Sequence, residues 1–299
     1  MLRRLWVYQR ERFPLAAMSL LALAVASSAA IFSALARGAA LPQWSAFVAA
    51  AASVLLVFMQ MRVLDEHKDF ADDARYRPYR AVPRGLVHLA ELRWLLAAAT
   101  LAQLGLAIAI DGRLVCLLIL LWAYLALMSA EFFVRNWLRP RAFAYLASHN
   151  PFGALIVLYA AAFEWLPRNA SPHPALLLFA AAVFFDTALL EIGRKIRAPQ
   201  DEEHGVVTYS AAWGRTRAVL AWCAAGALTI GCGLFAAREI GQGVVFALLM
   251  APVAGLAAVS AIRYLRNPQT RPAQAIEALS GLATLVFYAA LGPIAAVLP

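Results

Sequence analysis

Nine stretches of this chain run for about the length of a membrane span with almost no charge, and that pattern dictates what it can fold into. They cover roughly residues 14–36, 42–61, 86–110, 114–130, 142–163, 174–190, 217–237, 243–262 and 275–298. About 20 apolar residues in helical form cross the hydrocarbon of a bilayer. A backbone without partners cannot enter lipid, so each stretch is expected to be a helix. Composition agrees, with 63% hydrophobic and 14% charged residues, against about half and a quarter in a soluble domain. The expected fold class is all-α: one polytopic membrane bundle of nine transmembrane helices spanning residues 1–299.

The net charge of +9 has a topological reading. Of the 26 Lys and Arg, 21 fall on alternate loops, while the loops between carry only Arg37, Arg113, Arg168 and Arg238. Basic residues hold loops on the cytoplasmic side. This places the N-terminus in the cytoplasm and the C-terminus across a bacterial-type inner membrane. No basic run stands clear of a span, so nucleic acid is excluded as a partner. Arg3, Arg4, Arg10 and Arg12 before an apolar run imitate a signal peptide, but that run is longer than a signal core. Leu2, Leu5, Trp6 and Phe13 among those arginines suit a short helix lying at the interface. Cys116, Cys223 and Cys232 have no metal or disulfide spacing and are expected to be small buried hydrophobes.

Two inner loops are long and polar, forming caps at 62–85 and 186–217. They lie four spans apart, which hints at two pseudo-repeated halves. In the first cap Asp65, Asp69 and Asp73 recur every four residues. A continued helix would put them on one face, with Glu66 beside them. Such carboxylates suit Mg²⁺, which takes one or two of them together with substrate phosphates. Arg75, Arg77, Arg80 and Arg84 follow at once and suit phosphate. A solvated helix end is the bland alternative. The second cap offers Glu191, Arg194 and Lys195 on one helical face, then Arg197 and Asp201. Asp186 lies inside the sixth apolar stretch, where an ionisable group is costly. Its bland alternative is a carboxylate paired with an arginine at the inner mouth. Between them, the caps could hold a Mg²⁺-chelated diphosphate whose greasy tail enters the bundle.

At these caps the sequence resembles the UbiA superfamily of intramembrane prenyltransferases. That family has nine spans and two aspartate-rich cytoplasmic motifs. Asp65-Glu66-His67-Lys68-Asp69-Phe70-Ala71-Asp72-Asp73 fits the spacing of its N-D-x-x-D-x-x-x-D motif, with Asp for Asn and Glu for Asp. Arg80-Ala81-Val82-Pro83-Arg84-Gly85 falls where the family has R-P-L-x-x-G. In the second motif Asp201 precedes Gly205, but Arg197 stands at the position of the first Asp. Glu191 or Asp186 is expected to supply that carboxylate. Arg135 matches a basic residue that the family carries after its fourth span.

The resemblance implies a Mg²⁺-dependent transferase that moves a prenyl group from a prenyl diphosphate to a small aromatic or lipophilic acceptor in the bilayer. It implies Asp65, Glu66, Asp69, Asp73, Glu191 and Asp201 as metal carboxylates, and all of these but Glu66 as the catalytic set. Arg80, Arg135, Arg194 and Lys195 would bind the diphosphate. Aromatic faces such as Trp122, Tyr124, Phe184 or Phe185 could steady an allylic cation, or simply pack. His149-Asn150-Pro151 should kink the fifth span; its polar side chains orient an acceptor or satisfy the freed carbonyl. Two rivals stand: a terpene cyclase on the same scaffold, and a transporter. Transport is disfavoured because the acidic residues gather at one membrane face rather than near the midplane.

Overall fold

The computed structural model describes residues 2–298, and among them every regular element is a helix. Eight helical segments are long and apolar enough to cross a membrane. They correspond to α2 (Leu15–Ala36), α3 (Trp44–Lys68), α5 (Leu89–Ile110), the pair α8 (Ala142–His149) and α9 (Pro151–Trp165), α10 (Ala175–Gly193), α12 (Arg215–Glu239), α13 (Gly243–Arg266) and α14 (Thr270–Leu291). The fourth expected span is α6 (Leu114–Ser129), apolar but only 16 residues long. With it the expected nine are present. Short helices complete the chain: α1 (Leu2–Arg12), α4 (Phe70–Tyr76), α7 (Arg135–Leu138), α11 (Tyr209–Ala212) and α15 (Pro293–Val297). Several spans run past their apolar stretch at the capped end, as α3 does to Lys68 and α13 to Arg266. Hydropathy marks where lipid ends, not where backbone hydrogen bonding does.

The spans form a closed ring. Helices α2, α3, α5, α6 and α9 pack together, α10, α12, α13 and α14 do the same, and the seams are α9 on α10 and α14 on α2. Phe32, Phe163, Phe179, Phe246 and Phe287 fill the main core. Trp222 and Tyr264 anchor a second core under the second cap, and Tyr8, Val63, Val82 and Leu92 a third under the first. The third core seats α1 as expected for an interfacial helix: Tyr8 and Phe13 are buried, while Trp6 is 61% exposed. The expectation for the cysteines is corrected. Cys116 and Cys223 are exposed and Cys232 half-buried, because the outer face of a span is apolar whether or not protein covers it.

Several polar groups inside the ring are joined in one network, as hydrocarbon favours. Gln103 Oε1 accepts from Trp122 Nε1 at 2.9 Å and from Gln60 Nε2 at 3.0 Å. Its Nε2 donates to Ser53 Oγ at 3.1 Å, and that hydroxyl meets Tyr159 at 3.1 Å. One network therefore ties α3, α5, α6 and α9 together. At the end opposite the caps, buried Glu164 accepts from Ser33 at 2.6 Å and is paired with Arg37 at 2.7 Å and Arg168 at 2.6 Å.

Removing one member of a buried ion pair strands the others, at a cost on the order of 3 kcal/mol. Glu164→Ala is therefore expected to lower the thermal midpoint of the detergent-solubilised protein clearly. Asp111→Asn, which touches only the exposed Arg113 pair, should change it little. Equal effects in a melting assay would contradict this account.

Candidate active site

The helix of the first cap is bent rather than continuous. α3 ends at Lys68, Asp69 sits at φ −97° and ψ 2°, and α4 resumes at Phe70. Backbone N–H groups of Asp69 and Asp73 still donate to the carbonyls four residues back, at 2.9 and 2.8 Å. The three carboxylates expected on one face meet different surroundings. Asp73 is buried and clasped by Arg77 at 2.6 Å and Arg80 at 2.8 Å, with Arg12 at 4.0 Å. Glu66 is also buried and accepts from Arg12 Nε at 2.6 Å. Asp65 stays half-open, 3.5 Å from Lys68. Among the described residues, Asp69 has no ion-pair partner nearer than Arg139 at 4.0 Å. Burial pushes the Asp69 carboxyl above the usual carboxylate range, with Lys68 opposing.

In the second cap Glu191 is ion-paired with Arg194 and with Lys195, the latter at 2.8 Å. The three share a helical face as expected and are paired with one another. Lys195 also lies 5.6 Å over the Tyr209 ring. Arg197, at the position of the missing aspartate, faces Glu277 at 3.8 Å. Asp201 lies on a 3₁₀ turn, Pro199–Asp201, and makes no ion pair among the described residues. Its neighbour Glu202 folds the loop, accepting from Thr208 at 2.6 Å and Ser210 at 2.7 Å. Asp186 is not at the mouth. It is buried inside the bundle, accepts from Thr284 at 2.9 Å and makes no ion pair with an arginine among the described residues.

The two caps meet. Tyr79 donates to Glu203 at 2.8 Å, and the Tyr76 ring stands 5.9 Å from His204. Gly205 has φ +76°, and a Cβ there would fall 2.3 Å from the Tyr76 ring. Both the backbone and the close approach therefore require glycine. Arg194 is held charged first by Glu191, with burial opposing and Asp65 of the first cap reinforcing it.

The sequence reading missed the contribution of the segment after α6. Glu131, Phe132 and Phe133 have φ of 48°, 52° and 61°, a left-handed turn of three non-glycine residues. Such backbone costs about 1–3 kcal/mol per residue and needs compensation. Glu131 is buried and holds Arg139 at 3.3 Å and Arg135 at 3.5 Å. Arg139 in turn reaches Asp72 at 2.7 Å. Arg135 lies 3.8 Å from Asp72 of the first cap, but Arg139 is bound there more closely. Its only signal in sequence was a second arginine one turn later.

Below the caps lie a cavity of about 20 Å³, lined by Met61, Asp65, Lys68, Leu125, Met128 and Ser129, and an aromatic wall. Lys68 donates to Tyr145 at 3.0 Å, and the Tyr145 ring stacks on His149 at 4.0 Å. Tyr124 donates to the Ser148 carbonyl at 2.7 Å, and Phe184 meets Phe185 edge-on at 5.2 Å. The helix breaks between His149 and Pro151 as expected. His149 contacts the Tyr145 carbonyl, and Asn150 donates to that of Phe184 at 3.5 Å.

Among the described residues no three His, Cys, Asp or Glu side chains converge closely enough to hold a metal by themselves. Of the six expected carboxylates, Glu66, Asp73 and Glu191 are already committed to cations. Asp65, Asp69 and Asp201 remain, all-oxygen donors of the kind Mg²⁺ takes when phosphate oxygens complete its shell. The residues fit an ion shared with a ligand.

If the contact between caps closes the mouth, Gly205→Ala should prise Tyr76 away and expose both loops. Hydrogen exchange of residues 199–209 is expected to rise several-fold, and Tyr79→Phe, which loses one exposed bond, should change it less. Unaltered protection in Gly205→Ala would sink this view of the closure.

No family profile and no curated protein matches the sequence. Solved structures do. An apo UbiA homologue from Aeropyrum pernix K1 superposes with a TM-score of 0.72 at 18% identity, covering 94% of this chain and 98% of that one. A digeranylgeranylglyceryl phosphate synthase gives 0.63 at 13%, covering 97% and 99%. A UbiA homologue from Archaeoglobus fulgidus, bound to DMAPP and Mg²⁺, gives 0.60 at 14%, covering 95% and 98%. Over nearly its whole length, this chain has the fold of the UbiA homologues.

Proposed function

We propose that the chain is a UbiA-superfamily prenyltransferase, moving a prenyl group from a prenyl diphosphate to a small lipophilic acceptor within the membrane. The observation that carries this reading is the meeting of two cation-rich caps over one end of an apolar bundle. Their arginines and lysines suit an anionic head, and the bundle suits a hydrocarbon tail. The fold likeness supports it, since one homologue binds DMAPP and Mg²⁺. The loop charges support a cytoplasmic N-terminus and caps.

In this reading Arg80, Arg135, Arg194 and Lys195 bind the diphosphate, joined by Arg139. Asp69 and Asp201 would hold Mg²⁺, while Asp65 stays with Lys68 and Glu66, Asp73 and Glu191 hold the surrounding cations in place. Mg²⁺ would supply positive charge beside the leaving diphosphate. Charge grows on that group as the allylic carbon–oxygen bond breaks, so prepositioned guanidinium and ammonium groups act where the transition state needs them. The apolar interior keeps water from the allylic cation. The faces of Tyr124, Phe184, Phe185 and Trp122 lie in spans that could steady it. The acceptor carbon or heteroatom then attacks and loses its proton.

Purified protein incubated with Mg²⁺ and a panel of prenyl diphosphates should release diphosphate and form a prenylated lipid. Asp69→Ala and Asp201→Ala are each expected to slow release by about 10²–10³-fold, the size of effect seen when a charge-stabilising group is lost. Undiminished activity in both variants would refute the assignment. A hydrocarbon or terpene alcohol as product would mean a cyclase instead. Solute flux in proteoliposomes without Mg²⁺-dependent diphosphate release would mean a transporter.

A further inference from the structure

The carboxylates of the first cap are answered from within the protein. Arg12 ends α1 and reaches Glu66, 54 residues along the chain, at 2.6 Å. The Glu66 side chain is 1% exposed and Arg12 is 13% exposed, so water screens this pair poorly. The same guanidinium lies 4.0 Å from Asp73. Lys68 does for Asp65 what Arg12 does for Glu66. Its ammonium is 9% exposed, 3.5 Å from Asp65, and held by Tyr145 at 3.0 Å. It lines a small cavity together with Asp65, Met61, Leu125, Met128 and Ser129. An anionic head arriving there meets a compact positive charge before any metal is added.

We propose that Arg12 and Lys68 are resident counter-ions of the head-group site, so that a diphosphate is bound with one divalent ion rather than two. This rests on the reading that the caps bind a diphosphate. A cluster of bare carboxylates would repel that ligand, and each group of them would need its own divalent ion as a bridge. Here Glu66 and Asp73 are engaged by guanidinium groups, and Asp65 is shared with an ammonium. Asp69 and Asp201 are left to meet one ion jointly with phosphate oxygens, within what Mg²⁺ asks of protein carboxylates. Arg12 is a positioning residue in this scheme: it acts through Glu66 by keeping that carboxylate from a metal. Lys68 faces the ligand itself.

The test is a binding measurement on the full chain in lipid nanodiscs. Inorganic pyrophosphate is titrated calorimetrically at a series of free Mg²⁺ concentrations. Wild-type binding is expected to be first order in Mg²⁺. Arg12→Gln frees Glu66, and Lys68→Met frees Asp65. Each should weaken binding about tenfold at fixed Mg²⁺, or about 1.4 kcal/mol, and turn the dependence second order. Arg12→Lys keeps the charge and should restore first order, an effect that a merely structural staple of α1 would not show. Gel filtration reports folding, and Lys68→Met carries the test should Arg12→Gln fail to assemble. Second-order dependence in the wild type, or an unchanged order in folded variants, overturns the proposal. Wild type that binds no pyrophosphate at any Mg²⁺ concentration overturns the diphosphate reading itself.

Discussion

A carboxylate held where lipid gives way to water must bring its own cation or stay exposed, and the capped end is organised around that demand. Asp73 illustrates it. Buried under the first cap, it draws in Arg77 and Arg80 from its own loop and Arg12 from the N-terminal helix. Glu131 does the same for Arg135 and Arg139 across the next connection. Each buried acid fixes the place of the basic side chains around it. Segments that are distant in sequence, 2–12, 70–85 and 131–141, become one mouth because their charges cannot be left unpaired at that depth. The left-handed turn at 131–133 persists because this ionic net over-determines it.

The spans were legible in the sequence because lipid imposes a length and an absence of charge on each of them. The capped end was legible because basic residues alternate between loops. Arg80, Arg194 and Lys195 were singled out by chemistry and position within the caps, whereas Arg135 came only from the family resemblance; it stands 3.8 Å from Asp72. Pairing was not legible. Asp65, Asp69 and Asp73 look equivalent at four-residue spacing, yet Asp73 is buried among arginines while the other two are half-open. Glu66 meets Arg12 only because Tyr8 and Phe13 seat α1 on the bundle. The partners of Asp186 and Arg197, namely Thr284 and Glu277, both belong to α14, and no local pattern links them. The cysteines misled for a simpler reason: an apolar run cannot say which of its faces meets protein.

The two ends of the bundle solve different problems with the same materials. Away from the caps, Glu164 satisfies Arg37, Arg168 and Ser33 at close range, and Arg168 also donates to the carbonyls of Ala40 and Leu41. That arrangement locks the connection after α2 to the end of α9 and leaves no carboxylate oxygen for a ligand. At the capped end the pairing is uneven. Asp69 and Asp201 keep oxygens in reserve, and the interloop contact rests on an exposed hydrogen bond and one ring against a glycine. One end is fastened by buried ion pairs and the other by fewer and more exposed contacts.

The brevity of α6 carries a consequence for the membrane itself. Sixteen residues of helix rise only about 24 Å, while bilayer hydrocarbon is ~30 Å thick. The leaflets must pinch inward beside this helix, or its ends must draw headgroups down to meet them. The C-terminal end of α6 is Ser129, beside Asp65 and Lys68 on the cavity wall. Such a dimple would lower the energetic step for an amphiphile sliding sideways out of its leaflet, polar end first. Bilayer thickness, varied through acyl-chain length, thereby becomes a physical control on how easily the mouth is reached.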